Sequence, residues 1–215
     1  MPDEDLENTV DAPVDQESGT ALGHVSQRSL ARMLHVFAFE RVGVAVGDIY
    51  FVDPEPDPGQ EGAEHGVRLE VRLMAQPEHD GSIYASRPVL VDRPVWRADL
   101  LESVDGAPGS YDRTHHHPAM RDWEPGGRRF ERDLSADPLG WVQGRLGDLP
   151  GLLAAAGVTA DAVHPDDARQ LADAAPQIVA TARHLLERVR AGELGLPPET
   201  PAGSGDPTLV RTGWL

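Results

Sequence analysis

Two hydrophobic periods divide this chain, and the point at which one replaces the other restricts the folds open to it. Val67, Leu69, Val71 and Leu73 alternate with Arg68, Glu70 and Arg72, the two-residue period of a strand with one apolar and one polar face. Far downstream, Ala168, Leu171, Ala175, Ile178, Val179, Ala182, Leu185, Leu186 and Val189 recur at helical spacing. Strand-type segments come first and helix-type segments follow, without alternation. That order predicts an α+β protein, an antiparallel β meander or small β-sandwich or barrel followed by a C-terminal helical unit.

Turn and cap residues give the boundaries. Residues 1–23 form an acidic stretch without periodicity and are expected to be a disordered tail. Residues 24–134 are expected to be the antiparallel β domain, 135–194 a helical unit packed on it, and 195–215 a Pro/Gly tail. Residues 29–46 suit a helix or a strand. The reading adopted is a helical lead-in followed by strands over about 35–42 and 48–53, because Gly43 and Gly47 oppose a long helix. Prolines at 54, 56 and 58 make residues 53–62 a loop. Residues 78–81 read as a hairpin turn, with strands at 83–86, 89–91 and 95–101 and a further short one at 128–134. Pro88 and Pro94 place that region at edges, bends or bulges. Helix starts follow from Ser135 to Pro138, from Asp148 to Pro150 and from His164 to Asp167. Gly157 and Gly192 are expected to close helices, and Pro176 to break or kink the longest one.

Charge narrows the partners. The 36 acids outweigh 19 basic residues, all arginine, for a net charge of −17. Such a surface repels phosphate backbones and anionic lipid, so neither nucleic acid nor membrane is an expected partner. A small anionic molecule, a protein partner or a second copy of the chain fits better. No cysteine is present, which excludes disulfides, thiolate metal sites and cysteine nucleophiles. No basic region with a following apolar run marks a secretory signal, so a cytoplasmic location is expected. Residues 82–132 hold as many arginines as acids. That balance is expected either from an ion-pair network or from a pocket receptive to anions.

Inside the balanced block lies His115-His116-His117. In an extended chain His115 and His117 share one face and His116 takes the other. Two imidazoles on one face suit one divalent transition metal, provided a further ligand joins them. Asp122 is the expected carboxylate, with Asp112, Glu124 and Glu131 near in sequence and His35 or His79 able to return through the sheet. Arg93, Arg97 and Arg113 are the expected anion-binding residues, since a guanidinium meets a carboxylate or phosphate in planar bidentate fashion. The segment from Gly109 to His117 resembles the start of the first metal motif of the cupins, a Gly followed by His-x-His on a barrel strand. The resemblance implies a metal-binding β-barrel. Asp122 stands where cupins place a Glu, and their second motif, with its further His, is missing.

No nucleophile elbow surrounds Ser86, Ser103 or Ser110. No phosphate-binding glycine loop, dinucleotide fingerprint or His-Glu-x-x-His is found. Two readings of function follow. One is a small-molecule pocket or metal-binding protein centred on His115 and His117. The other is a non-catalytic interaction or accessory protein using its C-terminal helices as the contact face.

Overall fold

A computed structural model describes residues 34–78, 81–86 and 88–198. The expected tail at 1–23 and the lead-in before residue 34 lie outside these, as do the turn positions 79 and 80 and the end of the C-terminal tail.

Five strands form one antiparallel sheet in the order β1-β2-β3-β4-β5, so the expected α+β architecture takes its meander form. The strands are β1 (Leu34–Ala38), β2 (Val42–Val52), β3 (Ala63–Ala75), β4 (Leu90–Ser103) and β5 (His115–His117). A two-stranded hairpin, β6 (Met120–Arg121) with β7 (Glu124–Pro125), follows. Then come α1 (Arg132–Ala136), α2 (Pro138–Leu146), α3 (Leu149–Ala155) and α4 (Asp167–Arg190). The sheet stays open, with β1 and β5 at its ends, so the barrel implied by the Gly109-to-His117 resemblance is not formed.

Several local expectations change. The first turn falls at residues 39–41, closed by a Phe39 N–H to Val42 carbonyl bond of 2.8 Å. Gly43 and Gly47 are therefore inside β2 rather than between strands. A Cβ on Gly43 would lie 2.8 Å from Met74 Sδ, so the glycine there answers to packing and not to a turn. The stretch 81–86 is coil and turn, and β4 runs as one long strand instead of two. Pro94 is tolerated inside it because the β3–β4 register shifts on both sides of Arg72, leaving extra residues on β4. Residues 128–134 hold one isolated bridge and the start of α1 instead of a strand.

Two helix starts conform to capping chemistry. Asp137 accepts from the Gly140 N–H ahead of Pro138, and Asp148 accepts from the Gly151 N–H ahead of Pro150. Helix α4 remains continuous through Pro176, which lies on its exposed side, where water can meet the carbonyl left without an N–H donor. Gly157 and Gly192 close their helices with φ of 68° and 72°.

One core joins sheet and helices. Val42, Val44 and Val46 of β2, Val67, Leu69 and Val71 of β3, and Trp96, Ala98 and Leu100 of β4 line one face. Against them lie Leu171, Ile178 and Leu185 of α4, with Val142 and Leu146 of α2. Each of these larger aliphatic side chains contributes roughly 1.5–3 kcal/mol by leaving water. The α4 stripe that could have served as an external contact face is thus buried within the chain.

The opposite face of the sheet departs most from expectation. Arg68, Glu70 and Arg72 should form the wet side of β3, yet Glu70 is only 1% exposed. The neighbouring β2 positions on that face are Gly43, Ala45 and Gly47, which leave room for long polar side chains to lie along the sheet. They do so in pairs. Arg97 and Arg72 both grip Glu70, and Arg68 grips Asp99, so the buried charges are compensated. Gly66 serves the same close packing. At φ 155° it brings the backbones of β3 and β4 together, and a Cβ would sit 2.1 Å from the Leu100 carbonyl oxygen.

Candidate metal centre

The polar face converges on the histidine run. Antiparallel pairing sets His115 opposite Asp99 and His117 opposite Arg97, while Asp99 itself lies opposite Arg68. Strand alternation then directs His115, His117 and Asp99 to the polar face and His116 to the helical face. Asp99, His115 and His117 are all buried, and one ligand atom from each lies within 4.8 Å of the other two.

Hydrogen bonds fix the imidazoles. His115 Nδ1 is 2.8 Å from the Arg113 carbonyl oxygen, and His117 Nδ1 is 2.6 Å from the Gly126 carbonyl oxygen. A carbonyl only accepts, so each Nδ1 carries the proton and donates. In the neutral ring each Nε2 therefore presents a lone pair. Both Nε2 atoms face Asp99 Oδ2, at 3.5 and 3.6 Å. Those distances exceed a hydrogen bond. They match the edge of a coordination polyhedron, because metal–ligand bonds of about 2.0–2.2 Å place tetrahedral neighbours about 3.3–3.6 Å apart.

Electrostatics favours the same donor states. Burial lowers His115 to a pKa of about 4, against the opposing pull of the Asp99 charge and the Arg113 carbonyl, so the ring is neutral near pH 7. Burial would raise Asp99, but the Arg68 guanidinium holds it well below the ordinary carboxylate range. Arg68 is bidentate on that carboxylate, with Nε 2.7 Å from Oδ1 and Nη2 3.1 Å from Oδ2. It orients the carboxylate as an outer-shell partner does. The Phe130 ring, 5.4 Å from His115, adds an apolar flank.

Among the expected ligands, His115 and His117 come together and Asp122 does not join them. Asp122 occupies the exposed turn between β6 and β7, at φ 56°, and the carboxylate in the cluster is Asp99. Asp112 instead accepts from the Ser103 N–H and the Ser110 hydroxyl. Glu131 bonds His116 at 2.9 Å, and Glu124 is exposed in β7. His35 sits on β1, the opposite end of the sheet, while His79 is outside the described residues.

The three expected anion-binding arginines have separate surroundings. Arg97 donates to Glu70. Arg113 reaches the Gly59 and Glu61 carbonyls and ties down the proline loop. Arg93 is half-buried in the irregular first half of β4. The charge balance of residues 82–132 thus reflects ion pairs that reach out of the block, from Arg97 to Glu70 and from Arg128 to Glu64 and Asp53.

Asp99 escaped the sequence reading, although a trace of it was present. An aspartate between Ala98 and Leu100 in the buried part of a strand is costly unless something specific compensates it. Comparison with protein-family models, with curated proteins and with solved structures finds no match to this chain. Among the described residues no helix is long and apolar enough to cross a membrane.

Proposed function

We propose that this protein binds one divalent transition metal through His115 Nε2, His117 Nε2 and Asp99 Oδ2. The observation that carries the reading is the convergence of three electron-pair donors within 4.8 Å of one another, with both Nδ1 atoms already committed to backbone carbonyls. Without a shared cation, two neutral imidazoles would aim lone pairs at a buried carboxylate. Two imidazoles and one carboxylate suit zinc, iron, manganese or cobalt. Three protein donors leave at least one position for water or another small ligand, as in centres that exchange ligands. A proton on one imidazole is the competing way to hold the cluster together.

The accessory-protein reading has less behind it, because the apolar stripe of α4 is occupied by the sheet. The test is elemental analysis of tag-free protein, wild type beside His115→Ala/His117→Ala. Near-stoichiometric metal in the wild type and none in the folded variant supports the centre. Absence of metal after reconstitution of the wild type with Zn²⁺, Mn²⁺, Fe²⁺ and Co²⁺ overturns it.

A further inference from the structure

His116 leads away from the metal centre. It faces the helices, and its Nε2 lies 2.9 Å from Glu131 Oε1, so Nε2–H donates to the carboxylate. Its Nδ1 is buried and has no hydrogen-bond partner, although the residue is only 4% exposed. A buried polar atom left in that state costs free energy unless a ligand or water satisfies it. His116 also lines a cleft of about 250 Å³ between β5 and α3.

The cleft has a distinct chemistry. Trp96 and Leu152 give it an apolar floor and wall, and Trp141 stacks on Trp96 at 6.1 Å and approaches His116 at 4.9 Å. Two arginines line it. Arg145 lies over Trp141 at 4.7 Å and is 3.8 Å from Glu131. Arg129 is fixed by reciprocal backbone bonds to His116, and its side chain has no carboxylate partner among the described residues. Arg129 and Arg145 against Glu131 leave one net positive charge at the mouth, in a chain of net charge −17. By contrast, none of the buried unpartnered side-chain atoms lines the larger cleft of about 370 Å³ beside Tyr111 and Arg183.

We infer that this cleft is a binding site for a small hydroxylated aromatic carboxylate. The ring lies against Trp96 and Leu152, the ligand hydroxyl donates to His116 Nδ1, and the carboxylate meets Arg129 and Arg145. A single-ring acid suits the space, which is below the range of drug-sized pockets. The site is on the face of β5 opposite the metal centre and does not depend on it.

The test uses 4-hydroxybenzoate as probe, followed by tryptophan fluorescence and calorimetry on the full chain. Saturable binding is expected, weakened about fivefold or more for benzoate, which lacks the hydroxyl, and for methyl 4-hydroxybenzoate, which lacks the charge. Ala155→Trp places an indole at an exposed position lining the cleft and is expected to abolish binding. Arg129→Gln is expected to weaken it about fivefold or more. Unchanged circular dichroism and thermal transition show that both variants are folded. Chelator treatment is expected to leave binding intact. Absence of binding, equal binding of all three probes, binding unaffected by Ala155→Trp, or binding lost with chelator each overturns the assignment. The last outcome would transfer the ligand to the metal centre, so failure here is separable from failure of the metal reading.

Discussion

The metal binding proposed at the polar face would have a measurable thermodynamic consequence. An ion that binds the folded chain alone stabilises it by RT ln(1 + [M]/Kd), about 2.7 kcal/mol when free metal is a hundredfold above Kd. For a domain of this size each kcal/mol moves the melting temperature by about 2–4 °C, so saturation is expected to raise it by about 5–11 °C over chelator-treated protein. His117→Ala removes one of the two imidazoles that bracket Asp99 Oδ2 at 3.5 and 3.6 Å, and the increment is expected to fall below about 2 °C. The substitution also empties a buried site and lowers stability by itself, so the increment, not the absolute melting temperature, is the quantity compared. His116→Gln supplies the control, because that imidazole bonds Glu131 on the other face, and the increment should survive it. Differential scanning calorimetry of tag-free protein in chelator and in Zn²⁺ or Mn²⁺ measures all three. An equal increment in His117→Ala and wild type would refute the assignment of His117 as ligand.

Other substitutions probe the frame around the centre. Asp167 is fully buried and accepts from the Glu40, Arg41 and His164 N–H groups. Asp167→Ala is expected to cost about 3 kcal/mol in urea unfolding by stranding those amides, and a loss under about 1 kcal/mol would contradict that role. Burial raises the pKa of Glu64 despite the Arg128 charge, and its Oε2 has no partner. Folding therefore favours proton uptake there, and this residue's contribution falls as pH rises above the ordinary glutamate value. Glu64→Gln should accordingly gain stability relative to wild type between pH 5 and pH 8, and a difference independent of pH would count against the raised pKa. Gly66→Ala, with its Cβ 2.1 Å from the Leu100 carbonyl oxygen, is expected to lose more than about 2 kcal/mol. A near-neutral result in denaturant titration would mean that β3 and β4 separate easily.

The alternation of Val67 to Leu73 and the spacing of Ala168 to Val189 were enough to order strands before helices, because both patterns repeat over many residues. Likewise, His115 and His117 could be placed on one face from strand geometry alone. Asp99 could not be joined to them, since the pairing of β4 with β5 is a tertiary fact spanning the intervening turn. The sequence favoured Asp122 by nearness, and nearness is a poor guide when a strand carries its partner across a sheet. The polar face was misjudged for a related reason. Arg68, Glu70 and Arg72 look solvated until Gly43, Ala45 and Gly47 are placed beside them. Proline was misleading in both directions, because exposure of Pro176 and bulges beside Pro94 removed the penalties that each carries in isolation.

The short strand β5 also bears on how copies of this chain can associate. Its outer edge is engaged by reciprocal bonds between His116 and Arg129. The neighbouring part of β4 is covered where Arg113 and Thr114 bond the Leu101 carbonyl and Asp112 takes the Ser103 N–H. Along the rest of β4, Pro94 and the register shifts interrupt any regular row of donors. Within the five-stranded sheet, then, β1 is the regular edge among the described residues. Filament growth by strand addition needs two such edges, one to receive and one to offer. Among the described residues the two sides of the five-stranded sheet therefore differ, with a regular edge at β1 and an edge at β5 already engaged by Arg129.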